Sequence, residues 1–277
     1  AELSRRLTED LQQYGRDKHF KVLYSPEILP PPAGFPTDEQ LREWDLGCVL
    51  DNGGFHKVER LAGNVGYLEI TSFAPPEVAG PTAAAAMHFL AGTSAMIIDL
   101  RNNGGGGPQM VAMICSYFFR FSTHLSSMYW REGDRMMQFW TVSHLPGPRY
   151  LEKPVYVLTS SRTFSGGEDF CYSLQALKRA TIVGEQTRGG AHPVRRVRLD
   201  DHFEVTVPAG RVINPVTGGN WEGTGVSPDV AVPGEQAFAA AYALALEHVI
   251  SVAGRETVRP WRNVLAEAEK ALAGLKG

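Results

Sequence analysis

Ser165 has the residue type and the neighbours of a nucleophile. It follows the apolar segment 155–159, which predicts a strand, and it precedes apolar residues at helical spacing. A side chain in the first turn of a helix lies near free backbone N–H groups and the positive end of the helix dipole, which stabilise negative charge. A hydroxyl placed there suits attack on a carbonyl group. The alternative is that Ser165 only caps the helix, with Glu168 completing a capping box.

Three glycine-rich loops, 104–107, 189–190 and 218–225, lie next to predicted strands. Loops at strand ends are where binding and catalytic groups are usually built on a rigid scaffold. A run of bare backbone N–H groups is also what an oxyanion hole requires. Gln109 stands where the last glycine of a dinucleotide fingerprint would fall, and no Gly-Lys-Ser/Thr follows the first loop. The loops therefore predict no nucleotide cofactor.

Strand and helix patterns alternate along most of the chain. A nearly continuous apolar segment at 95–100 is typical of a strand buried on both faces, and it ends at Asp99 and Arg101, which we expect to form an ion pair. Further strands are predicted at 20–24, 58–61, 66–71, 125–150 (as a hairpin), 155–159, 180–185, 194–199 and 203–207, and helices at 1–14, 37–49, 82–91, 110–119, 166–177, 236–249 and 261–275. We divide the chain into an amino-terminal helical arm or subdomain (1–54), a main domain (55–250) and a helical extension (251–277).

Composition excludes several classes of protein. The chain has 277 residues, 43% hydrophobic and 21% charged, as in ordinary globular proteins, and a net charge of −3 argues against binding to nucleic acid. No segment reaches the about 20 apolar residues of a membrane span. Cys48, Cys115 and Cys171 have neither metal-ligand spacing nor a disulfide framework. We therefore expect no metal, no cofactor and no transmembrane segment.

Five motifs, "GYLEITSF", "MIIDLRNNGGG", "VYVLTSSRTFSGGEDF", "ATIVGEQTRGG" and "GTGVSPDV", occur in one order and spacing. In these motifs the chain resembles the C-terminal processing (tail-specific) serine peptidases. It is most similar to the branch with the interphotoreceptor retinoid-binding protein repeats, and then to the tricorn core protease. The resemblance covers roughly residues 15–245. It implies a mixed α/β fold of the ClpP/crotonase type, a spiral of β-β-α units, here with a small amino-terminal helical subdomain. A PDZ domain has no room between Asn52 and Gly66.

The resemblance places Ser165 at the family's nucleophile. It implies that Gly166 and either Gly105 or Gly106 donate N–H groups to the oxyanion. The family's lysine base falls at Gly190, so that position has no base here.

Other residues must then supply the base. The position of the histidine base of tricorn is Glu69 here, whereas Glu222 resembles its acidic residue. His192, on the loop that lacks the lysine, is our first candidate, because its ordinary pKa near 6.5 suits a base at neutral pH, and Glu222 would orient it. His19 is the second candidate. The alternatives are a surface histidine at 192 and a histidine at 19 that attaches the arm.

These observations predict a serine hydrolase, in first place a peptidase that acts on peptide or protein C-terminal segments through an acyl-enzyme on Ser165. One alternative is a non-proteolytic binding protein for an apolar small molecule, such as a retinoid or a fatty acid, held by the aromatic- and Met-rich segment 128–140. Another is a small-molecule hydrolase or tailoring enzyme on the same scaffold. The sequence does not decide whether the protein forms an oligomer. Analogy with the resembled family slightly favours an exported protein over a cytoplasmic one.

Overall fold

A computed structural model describes residues 2–29 and 38–276. Its centre is a six-stranded sheet in the order β12-β8-β7-β4-β3-β2, in which all neighbours are parallel except the antiparallel β2–β3 pair. The strands are β2 (Phe55–Leu61), β3 (Val65–Ile70), β4 (Ala95–Asp99), β7 (Val155–Thr159), β8 (Thr181–Gly184) and β12 (Val230–Ala231). Every residue of β4 and β7 is buried, as their apolar runs predict. The predicted mixed α/β fold is confirmed.

Helices cover both faces of this sheet. On one face lie α3 (Pro76–Leu90), α4 (Pro108–Ser116) and α5 (Gly166–Ala176), whose apolar sides form the larger core cluster. On the other face α6 (Ala237–Ala253) and α7 (Arg259–Lys276) complete a second cluster. The turn that leads from β7 into α5 places Ser165 beyond the carboxyl end of this interior strand.

Two three-stranded sheets flank this centre. One has the order β11-β5-β6 and the other the order β1-β10-β9. Their strands are β1 (Lys21–Tyr24), β5 (His124–Trp130), β6 (Arg135–Trp140), β9 (Val194–Arg198), β10 (Phe203–Pro208) and β11 (Gly210–Ile213). Helix α1 (Glu2–Gly15) and β1 form the α1–β1 segment, residues 2–24, which joins the rest of the protein through antiparallel pairing of β1 with β10. Helix α2 (Asp38–Leu50) follows later in the chain.

The elements differ from the sequence expectations at several points. The hairpin of β2 and β3 is confirmed, with a short 3-10 turn at 62–64 between its strands. Strands β11 and β12 were not predicted, α3 begins earlier than expected, and the hairpin predicted within 125–150 ends at Trp140. Thr37, where the second helix was predicted to begin, lies outside the described residues. The expected ion pair is confirmed, with Asp99 Oδ2 2.6 Å from Arg101 Nη2. The division into three domains stays a prediction.

Candidate active site

Ser165 lies in the sharp turn from β7 into α5. Its backbone has φ +52° and ψ −116°, a conformation that non-glycine residues rarely adopt and that costs on the order of 1–3 kcal/mol. The half-buried residue faces a cavity rather than the core. A strained backbone at this point is compatible with a position that function maintains.

Glu168 holds this turn in place through hydrogen bonds. Its fully buried carboxylate accepts hydrogen bonds from the Ser165 N–H at 2.8 Å and the Thr187 hydroxyl at 2.5 Å. It also accepts the N–H groups of Gly189 at 2.6 Å and Gly190 at 2.9 Å. Burial raises the pKa of Glu168, although these four donors oppose the shift. The side chain expected only to complete a helix cap therefore ties the serine to the 187–190 loop.

The loop after β4 brings bare backbone to the serine. A Cβ at Gly105 would lie 2.8 Å from Ser165 Cβ, and one at Gly166 would lie 3.1 Å from the Gly106 nitrogen. The Gly105 N–H donates to Asn103 Oδ1 at 2.8 Å, so it is already engaged. Within residues 2–29 and 38–276, the N–H groups of Gly106 and Gly166 have no hydrogen-bond acceptor. Of the two glycines left open by the sequence, Gly106 is thus the available donor.

Asp17 joins the two candidate histidines. Its buried carboxylate is 3.2 Å from His19 Nδ1 through one oxygen and 2.5 Å from His192 Nδ1 through the other. Burial alone would raise the pKa of Asp17, but the hydrogen bonds from both histidines hold it well below its usual value. The bond to Asp17 raises the pKa of His192 above its ordinary value, against the opposing effect of burial. Sequence reasoning missed Asp17 as a site residue, although it lies two positions before His19.

Glu222 does not make the contact expected of it. Its Oε2 atom is 3.6 Å from His192 Nδ1, which is too far for a hydrogen bond, and it accepts the Ala191 N–H at 2.6 Å instead. The other oxygen, Oε1, is buried without a hydrogen-bond partner in the described part of the chain. Asp17 lies nearer to His192 than Glu222, the residue predicted to orient it.

His19 fills the space beside Gly190, where the resemblance predicts the family's lysine. A Cβ at 190 would lie 2.7 Å from His19 Cε1 and 2.2 Å from Phe164 Cε2, and the rings of His19 and Phe164 are 4.5 Å apart. A side chain at position 190 therefore cannot coexist with the imidazole in this place. His19 Nε2 is buried and has no partner among the described residues.

A cavity of about 370 Å³ connects these groups. Ser165, Gly106, Gly166, His19 and His192 all line it, although they come from four separate parts of the chain. Its remaining walls are mostly apolar and include Pro108, Met128, Met137, Phe139, Val212 and Trp221. The arrangement offers a nucleophile, two open amide donors and an imidazole around one space.

Asp17, His192 and Glu222 are also the kinds of side chain that bind metal ions. Their ligand atoms lie within 4.8 Å of one another. The 2.5 Å contact of Asp17 with His192 is, however, a hydrogen bond, and a metal ion would have to break it. The expectation that the protein needs no metal stays a prediction.

The sequence from 64 to 232 matches the model of Peptidase family S41. The chain belongs to this family. The matched range contains Ser165, the glycine loops and Glu222, whereas Asp17 and His19 lie before it. The resemblance to the C-terminal processing peptidases is thereby confirmed, and the finer placement near the retinoid-binding repeats and tricorn stays a prediction.

Relatives of this S41 protein have related names. It is 26% identical over 180 residues to carboxy-terminal processing protease CtpB of Bacillus subtilis, which covers 64% of this chain and 36% of that one. It is 30% identical over 154 residues to the carboxyl-terminal-processing protease of Synechocystis sp., with 55% and 34% covered. The chain thus spans about a third of the length of these two relatives.

Solved structures show the same fold. The photosystem II D1 C-terminal processing protease matches with a TM-score of 0.50 at 23% identity, over 78% of this S41 chain and 48% of that chain. A lipoprotein from Streptococcus agalactiae matches with a TM-score of 0.58 at 17% identity, over 88% and 81%.

Proposed function

We propose that this S41 protein is a serine peptidase that cleaves peptides near their carboxyl termini through an acyl-enzyme on Ser165. The observation that carries the proposal is the convergence of Ser165, the open N–H groups of Gly106 and Gly166, and a histidine with a free Nε2 on one cavity. The names of the carboxy-terminal processing relatives support the choice of substrate.

We assign the base to His19 rather than to His192, the first candidate from the sequence. His19 Nδ1 faces Asp17, and its Nε2 is buried and unpartnered, which is the arrangement of an imidazole that accepts a proton. It also occupies the space next to Gly190, where the related peptidases have their lysine. His192 is more exposed, with 27% of its side chain accessible, and we give it the role of holding Asp17 in place.

The reaction then proceeds in two steps, acylation and deacylation of Ser165. Ser165 Oγ bonds to the substrate carbonyl carbon while His19 Nε2 takes the hydroxyl proton, and the oxyanion accepts hydrogen bonds from Gly106 and Gly166. The carbon–nitrogen bond breaks as His19 returns that proton to the leaving amine. Water repeats the sequence on the ester, which frees the acid and restores the serine. Asp17 stays ionised, because its pKa is far below neutral, and stabilises the imidazolium in both steps.

A binding protein for an apolar small molecule is the second candidate that the sequence left open. The apolar walls of the cavity suit it. A binding protein, however, has no use for the strained backbone of Ser165 or for the unbonded N–H groups of Gly106 and Gly166. We therefore place this function second. Export of the protein and its assembly into oligomers remain predictions, because the geometry of the site tests neither of them. Within the described ranges, no helix is both long and apolar enough to cross a bilayer.

A fluorophosphonate probe tests the proposal, because it reacts with serines that have both a base and an oxyanion hole. We expect stoichiometric labelling of the wild-type protein at Ser165, none in Ser165→Ala, and unchanged labelling in the control Ser161→Ala, which alters an exposed serine of the same turn. Peptides incubated with the protein should shorten from the carboxyl end, as read by mass spectrometry. Absence of labelling in folded wild-type protein would refute the proposal.

A further inference from the structure

Four carboxyl groups are buried in the described part of the chain: Asp17, Asp99, Glu168 and Asp169. Three of them are well supplied with donors. Asp17 has two histidines, and Glu168 has four hydrogen bonds. Asp99 has Arg101 and the hydroxyl of Tyr67. A buried carboxylate without such partners is costly, so the fourth group needs an explanation.

Asp169 is that fourth group. It is bonded by two serine hydroxyls at long distances, from Ser126 at 3.4 Å and from Ser173 at 3.2 Å. No lysine, arginine or histidine of residues 2–29 and 38–276 lies within 4.0 Å of it. Burial raises its pKa to about 6, although the two hydroxyls oppose the shift, so the group is largely ionised at pH 8.

Asp169 lies where a bound substrate could supply a partner for its carboxylate. It lies one turn of α5 beyond Ser165, and its N–H donates to the Ser165 carbonyl at 2.9 Å. It lines the same cavity as Ser165 and Gly166. Unlike the other three buried carboxyls, Asp169 has only two long hydrogen bonds from the protein, and it lines the space that a substrate would enter.

The rest of the cavity restricts the shape of that partner. Met128, Met137 and Phe139 line the same cavity as Asp169 and make part of its wall apolar. Val212 and Trp221 are further apolar lining residues. Apolar walls accommodate the methylene groups of a long side chain, while a carboxylate favours a charged end. Lysine and arginine combine both properties.

We infer that Asp169 selects a cationic side chain, lysine or arginine, on the residue whose carbonyl Ser165 attacks. The inference rests on the proposed peptidase activity for its placement at the scissile bond. The stem of the side chain packs on the methionine and phenylalanine walls, and its charged end pairs with Asp169. The carboxylate thereby gains the partner that the folded chain does not supply.

The test compares fluorogenic peptides that differ only at the residue before the scissile bond: lysine, its uncharged mimic norleucine, or tyrosine. At pH 8 we expect kcat/KM at least about tenfold higher for lysine than for norleucine in the wild-type protein. Asp169→Asn should make kcat/KM equal for the lysine and norleucine peptides. The control Asp45→Asn, an exposed carboxylate on α2, should retain the preference.

Binding to Ser165→Ala separates this inference from the proposed function. The lysine peptide should bind at least about tenfold more tightly than the norleucine peptide to Ser165→Ala, and equally to Ser165→Ala/Asp169→Asn. This binding preference without cleavage by the wild-type protein would refute the peptidase and retain the cation site. Cleavage with norleucine or tyrosine equal to or better than lysine would overturn the cation site alone, and so would equal binding of the lysine and norleucine peptides to Ser165→Ala.

Discussion

Asp17 holds two imidazole rings by their Nδ1 atoms, and this one carboxylate sets what each ring can do. His19 turns its free Nε2 inward, next to Phe164 and Gly190. His192 also lines the cavity and, together with His19, holds the pKa of Asp17 well below its usual value through a 2.5 Å hydrogen bond. The two histidines are therefore not equivalent, although both lie on the same cavity.

Substitution of the two histidines distinguishes their roles. His19→Gln should lower kcat by about 10²-fold or more with little change in KM, because it removes the proton acceptor. His192→Gln should lower it by about tenfold or less, because Asp17 keeps its bond to His19. Steady-state kinetics on one peptide measures both. If His192→Gln proves the more damaging, His192 is the base and His19 is the residue that attaches the α1–β1 segment.

The Asp17–His192 pair also makes a prediction about pH. A histidine whose pKa is raised on folding contributes stability that is complete below its unfolded value near 6.5 and is lost as the pH rises through the folded value. Asp17 has a lowered pKa, so its contribution persists until strong acid. The difference in melting temperature between wild type and His192→Asn should be largest at pH 5.5 and should shrink by pH 9. A constant difference would mean that the pair is not ionic.

The β4–α4 loop can lie close to Ser165 because its glycines have no side chains. Gly105→Ala would place a methyl group 2.8 Å from Ser165 Cβ on a residue with φ +103°, whereas Gly104 has open space around it. We expect Gly105→Ala to lower kcat/KM by about 10²-fold, since the serine and the Gly106 donor must separate. The neighbouring control Gly104→Ala should retain activity. Equal effects of the two changes would count against this geometry.

Local sequence patterns predicted the parts of this site that lie next to strong elements. The apolar run of β7 and the helical spacing of α5 fixed Ser165 at their junction, and the glycines after β4 indicated the amide donors. Strand β12 was missed because its two residues are too few to show a period. Strand β11 was missed because its two apolar residues, Val212 and Ile213, are adjacent and do not alternate with polar ones.

The local sequence pattern could not predict the role of Asp17 or which histidine is the base. His19 reaches the cavity because Lys21 to Tyr24 pair with Thr206 to Phe203, and such long-range pairing leaves no periodic signal in either segment. The sequence therefore favoured His192, which lies close to the vacant lysine position along the chain. The structure shows that Asp17 and His19 of the α1–β1 segment lie there as well.

For the whole molecule, activity should depend on the docking of the α1–β1 segment. No residue of α1 is buried, whereas Val22 of β1 is 3% exposed, so Val22 is an apolar anchor of this segment. Val22→Asp should release the segment and abolish cleavage, while the exposed control Lys21→Asp retains it. Hydrogen exchange should show increased opening of residues 2–24 and little change in the central sheet. Full activity of Val22→Asp would contradict a base on this segment.

Pairing of β1 with β10 also sets an order of events during synthesis. Asp17 and His19 leave the ribosome long before the serine, but the strand that docks them ends at Pro208. On the proposed mechanism, a nascent chain carries its hydroxyl without a proton acceptor until that late strand emerges. Unfinished copies on a polysome are thus unable to cut themselves or one another, because the connectivity of the fold delays catalysis until β10 has been made.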